Sequence, residues 1–187
     1  MNLFYVNEDP RLAARDLADR HVVKMTLETV QMISTVARSV GLDESLQTSS
    51  AGMMGSLALL YASTQARHPC TIWVASSRES LDWTVRHGDA LGNVYTDRFG
   101  KHHKSHGVLL DFIGSGLIAS LRERLPDVPR PPPARAVSDE ARALLDPIEA
   151  YREHLRLKYA GWARPPRWTN ATRPSWLDHR SEQNLLG

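Results

Sequence analysis

His21, Lys24 and Glu28 are the residues whose types and spacing could do chemistry together. Placed on a helix at about 100° per residue, they fall on one narrow polar stripe that continues through Gln31 and Thr35. Glu28, set among methionines and valines, could serve proton transfer or stabilise developing positive charge. Lys24, if desolvated, would be a nucleophilic amine. The alternative is a solvated face on which Lys24 and Glu28 are only a surface pair, in the weaker Lys-before-Glu order.

The helix that carries this stripe spans residues 19–41 and is apolar around more than half its circumference, through Val22, Val23, Met25, Leu27, Val30, Met32, Ile33, Val36, Ala37 and Val40. Arg20 and Arg38 border the stripe. A helix this apolar belongs in the interior, so its polar stripe either faces water or lines a cleft.

Other segments must position it. Residues 2–6 read as a brief strand or an extended arm packed on the core. Asp9 and Pro10 open a helix that runs into the next or breaks near Asp19, and Gly41 is a C-cap. A polar loop is expected over 42–50 and an apolar helix over 53–65, stopped at His68–Pro69. Residues 71–98 are helical with a break at Ser76–Ser77, Gly100 ends that segment, and a further apolar helix covers 108–125. Ser138 caps a short helix, and Pro147 starts another that Gly161 ends. No segment alternates as a strand. The fold class expected is all-α: a compact single-domain bundle with a helical core over 1–125 and a proline-rich connector over 126–137. Helices and an irregular basic, aromatic tail over 138–187 would pack on that core.

At 187 residues the chain is long enough for one real core, and its composition, 42% hydrophobic and 24% charged, is ordinary. A single cysteine, Cys70, rules out an internal disulfide framework and fits a reducing compartment. No signal-peptide pattern or membrane-spanning run is present, so a cytoplasmic protein without membrane contact is expected. The net charge of +2 says little about partners, whereas its placement says more.

Positive charge gathers in two places. Arg98, Lys101, His103 and Lys104 crowd the loop between two helices, which suits an anion such as a phosphate. It lacks the glycine spacing of a P-loop, and its lysines would repel a metal cation, so neither metal nor cofactor is expected. The tail between Glu153 and Asp178 has no acidic residue, while Arg164, Arg167 and Arg173 alternate with Trp168 and Trp176. Guanidinium groups for phosphates and aromatic faces for unstacked bases are what a nucleic-acid surface needs. The alternative is that the tryptophans pack the tail down and the arginines are solvated.

Two local patterns carry a resemblance. Leu17-Ala-Asp-Arg-His21, followed at a fixed spacing by Glu28, resembles the catalytic-helix region of phage pyrimidine-dimer DNA glycosylases, small all-α enzymes of the endonuclease V type. Arg173-Pro-Ser-Trp176 is similar to that family's Arg-Pro-Thr-Trp. The middle of the chain, with HPCTIW and FGKHHKS, looks more like other phage-encoded proteins. The resemblance implies that Glu28 stabilises a cationic sugar and moves protons, and that Arg20 and His21 grip DNA backbone. It implies duplex DNA with an extruded nucleotide as the partner.

The chain also departs from that pattern. The family's nucleophile is the α-amine of a threonine exposed by methionine removal. Here Asn2 follows Met1 and is large enough to block removal. Lys24 or the Met1 amine would substitute, or lyase activity would be absent. Leu27 stands where the family has an arginine. The function expected is base excision or base modification. A non-catalytic nucleic-acid binder and an enzyme on a small phosphorylated substrate are the alternatives.

Overall fold

Residues 1–42 and 60–178 are described by the computed structural model. Their helices, in chain order, are α1 (Pro10–Asp16), α2 (Asp19–Ser39), α3 (Pro69–Ala75), α4 (Arg78–Phe99), α5 (Lys104–Gly114), α6 (Leu117–Glu123), α7 (Asp139–Arg142) and α8 (Pro147–Ala160). A 3-10 turn, Ser175–Leu177, follows in the tail. Among the described residues there is no strand, and the all-α class expected from the sequence holds. No helix among them is long and apolar enough to cross a membrane.

Local sequence sets where the helices begin. The Asp9 carboxylate accepts from Arg11 N, with Pro10 at the first helical position of α1. His68 and His103 cap α3 and α5 in the same way through their rings, and Ser77 caps α4 with its hydroxyl. Asp146 caps α8 ahead of Pro147. Such caps occupy N–H groups that the first turn of a helix leaves unpaired.

The two long helices, α2 and α4, pack on each other. Helices α3 and α5 close over both, and α1 lies on α4. The arm threads beneath: Leu3, Phe4, Tyr5 and Val6 are all buried, and the Tyr5 ring stacks on Trp83 at 4.6 Å. Trp83 is itself fully buried and donates its indole N–H to Glu8 O at 2.8 Å. Burying side chains of this size stabilises the fold by about 1.5–3 kcal/mol each. Gly92 lets α5 approach α4 closely, because a Cβ at that position would run into the His106 ring.

Two expectations need correction. Residues 60–65 are not helical; they run as an extended strap along α2, where Tyr61 N donates to Ser34 Oγ at 3.2 Å and Thr64 N to Thr35 Oγ1 at 3.0 Å. Their backbone groups find side-chain partners on α2, which removes the need for a helix of their own. The expected loop over 43–50 and the helical stretch over 53–59 lie outside the described residues. The helix expected over 108–125 starts earlier, at Lys104, and is split into α5 and α6 at Gly116, whose φ of 79° ends one axis and begins the next.

The connector is pinned at several points. Arg78 N donates to Pro126 O at 3.0 Å, Trp73 Nε1 to Pro131 O at 3.0 Å, and Asn2 Nδ2 to Ala136 O at 2.7 Å. This last bond brings the connector to the N-terminal arm.

Candidate active site

The α2 stripe is neither a wet face nor an open cleft along its length, because each part has its own cover. At its C-terminal end, Thr35 is covered by the strap through Thr64. At the other end His21 is buried among rings. Its Nδ1 lies 3.1 Å from the Tyr159 hydroxyl, with the rings of Phe4 at 4.5 Å and Trp162 at 5.2 Å. Burial, helped by the cations Lys158, His154, Lys24 and Arg20, pushes the His21 pKa down to about 3. The imidazole sits inside the aromatic cluster, where burial favours its neutral form.

Between these ends stands Glu28, only 7% exposed, beneath the N-terminal arm. Asn2 N donates to Glu28 Oε2 at 2.9 Å, and the Met1 ammonium is 3.7 Å from the same oxygen. Lys24 Nζ reaches the other oxygen at 3.3 Å while its side chain stays 65% exposed. A buried carboxylate without partners would be costly; these groups compensate it. Asn2 locks the arm in place, since its Oδ1 accepts from Leu3 N and Phe4 N at 2.8 and 2.9 Å. Phe4 follows with a left-handed φ of 47°, which turns the chain downward into the core.

Helix α3 completes the wall. Thr71 Oγ1 donates to Met1 Sδ at 3.4 Å, so the first residue is held at both its amine and its side chain. His68 caps this helix through Nδ1, 3.2 Å from Cys70 N. Its pKa is lowered by burial and by the N-terminal ammonium, while Glu28 acts in the opposite sense. Cys70 is buried 3.9 Å from the Tyr151 hydroxyl, and burial pushes its thiol up to about 11, so it is no thiolate nucleophile.

The expected phosphate contacts divide into two sets. Arg20 stays exposed, its guanidinium over the Trp162 ring at 4.5 Å. Lys101, Lys104, Arg164 and Arg167 are also exposed. His103 caps α5, which packs against α2. Arg98, in contrast, is 3% exposed and donates to Leu17 O, Arg15 O and Asp19 Oδ1 at 2.7, 2.7 and 3.0 Å. It ties α4 to the α1–α2 corner and is not free for phosphate.

The tail tryptophans are likewise packing residues. Both indole N–H groups end on Asp16: Trp168 donates to its carbonyl at 3.1 Å and Trp176 to its carboxylate at 2.8 Å. Trp176 is 9% exposed, and Arg156 donates to its carbonyl oxygen. Arg173 is exposed and paired with Asp178 at 2.9 Å. Arg173 and Trp176 border a groove of about 900 Å³ beside Arg11, Arg15 and Asp97, and neither Glu28 nor Lys104 lines it.

Sequence reasoning read His68 as a helix stop in an ambiguous aromatic and basic stretch and did not single it out as a cap. The His-Pro pair ahead of an apolar run was the available signal for His68, as a cap. Among the described residues no three of His, Cys, Asp and Glu gather where they could hold a metal ion.

Comparison with known proteins adds one finding. The family model for pyrimidine dimer DNA glycosylase matches residues 1–107, which is more than half of the chain and takes in the arm, Glu28, α3, α4 and the Lys101–Lys104 loop. No curated protein and no solved structure matches.

Proposed function

The chain belongs to the pyrimidine dimer DNA glycosylase family, and from that premise we propose that it excises a base from duplex DNA, with the target nucleotide extruded to the amine and carboxylate at Met1 and Glu28. The observation that carries this reading is the 3.7 Å approach of the α-amine to a buried carboxylate, held by an arm whose own backbone bonds that carboxylate. An amine needs desolvation, position and a neighbouring acid–base group to act as a nucleophile on a sugar. All of these meet at this point of the fold.

In the proposed reaction the neutral Met1 amine adds to C1′ as the glycosidic bond breaks. The bonding electron pair leaves with the base, which takes up a proton. Glu28 lies against the positive charge that develops on the sugar and supports its formation. Proton loss from the amine and opening of the sugar ring leave an imine. Water then releases an abasic site, or elimination of the 3′ phosphate cuts the strand. Lys24 is the other amine at the carboxylate. Its exposure and the greater basicity of lysine amines as a class favour the α-amine as nucleophile and leave Lys24 to face the phosphates.

Borohydride trapping on a duplex with an abasic site, followed by peptide mapping, tests the assignment. The adduct is expected on the peptide that begins at Met1, with trapping lost on N-terminal acetylation and kept in Lys24→Ala. An adduct on Lys24 moves the nucleophile there. No adduct together with no released base removes the reading, and leaves DNA binding alone or base modification for product analysis to find.

A further inference from the structure

Helix α2 is the most enclosed long element of the fold, yet two of its large aliphatic side chains face solvent: Val23 is 42% and Leu27 38% exposed. They are one turn apart on the same face, and Leu27 immediately precedes Glu28. The ridge they form adjoins Glu28, which the N-terminal arm binds through Asn2 N. Exposed aliphatic residues are common singly, but a pair at the mouth of a buried carboxylate is a different case.

Their surroundings indicate what covers them. Lys24 and Arg20, both exposed, stand on the same face of the helix. Helix α5 packs against α2 as well, and the exposed Lys101 and Lys104 stand at its N-terminal end. An apolar ridge rimmed by cations complements a polyanion with an apolar interior, which describes duplex DNA: phosphates outside and stacked base faces within.

We propose that Val23 and Leu27 form a wedge that enters the base stack beside the nucleotide acted on at Glu28. This rests on the DNA-glycosylase reading above and adds to it the means of extrusion. Apolar side chains that enter a base step unstack it and kink the duplex. A nucleotide next to such a step needs less further work to leave the stack. The basic rim then holds the backbone on either side of the kink.

The test uses the full chain and a duplex that carries a tetrahydrofuran abasic analogue with 2-aminopurine as the neighbouring base. Binding of the unaltered protein is expected to raise 2-aminopurine fluorescence, which reports unstacking. The Val23→Ala/Leu27→Ala double variant is expected to lose that rise and to bind roughly tenfold more weakly, with an unchanged Tm because both side chains are exposed. Leu27→Met, which keeps apolar reach, should restore the signal. Lys101→Ala/Lys104→Ala should weaken binding yet retain the full rise at saturation. An equal rise and equal affinity in the double variant would overturn the wedge and leave the glycosylase reading intact. No salt-dependent binding of duplex by the unaltered protein would overturn both. Loss of affinity for another protein with DNA affinity unchanged would reassign the ridge to a protein partner and overturn the wedge.

Discussion

Asn2 N donates to Glu28 Oε2 at 2.9 Å, so the carboxylate at the centre of the candidate site is also the anchor of the N-terminal arm. The Met1 ammonium and the Lys24 amine face the same carboxylate. One buried side chain thus fixes where the chain starts and which amines can reach a substrate.

Glu28→Gln separates these roles. The amide can still accept from Asn2 N, so the arm should stay docked, while the negative charge facing the sugar is lost. We expect single-turnover base release to fall by roughly 10²–10⁴-fold with duplex affinity almost unchanged. Activity that survives the substitution would show that the reaction is centred elsewhere.

Acid should weaken this fold through its histidines. Burial pushes His21 down to about 3 and His87 down to about 4, whereas an unfolded chain binds these protons below about pH 6.5. The unfolded state therefore gains protons that the folded state refuses. Stability is intact above about pH 6.5 and declines as pH falls toward 4, by up to about 1.4 kcal/mol per pH unit for each histidine. Denaturant melts between pH 7 and pH 4.5 should show a shallower decline for His21→Phe. Parallel curves for the two proteins would contradict this account.

Trp176→Ala should act on stability. The indole is 9% exposed and its N–H is bonded to Asp16, so removal leaves a cavity and an unpaired carboxylate. The cost should be about 3 kcal/mol, as for other large-to-small changes, seen as a lower Tm. Duplex affinity measured well below the new Tm should change less than twofold. A large loss of affinity in a still-folded variant would return this ring to the bases.

Lys101→Ala and Lys104→Ala remove exposed charges that have no carboxylate partner among the described residues. If each meets one phosphate, each substitution should reduce the slope of log affinity against log salt by about 0.9. Arg98→Lys should leave that slope alone and lower the Tm, because Arg98 is spent on Leu17, Arg15 and Asp19.

The sequence by itself determined the helical class, the break at Ser76–Ser77, the end at Gly100 and the start at Pro147, since caps, prolines and periodicity act within a few residues, but it left open whether the first helix ran into the second or broke near Asp19. It also singled out Glu28, through the spacing after His21 that resembles the glycosylase helix. Tertiary structure alone decided what stands over that stripe. The arm reaches Glu28 and the strap reaches Thr35 across long stretches of chain, and no local pattern encodes such a meeting. The same limit explains the basic and aromatic residues. Arg98 and Trp176 have the types that suit nucleic acid, but their burial depends on α1 and α8 packing over them. Val23 and Leu27 read as core by type, yet among the described residues no distant element covers them, and that leaves an apolar ridge beside Glu28.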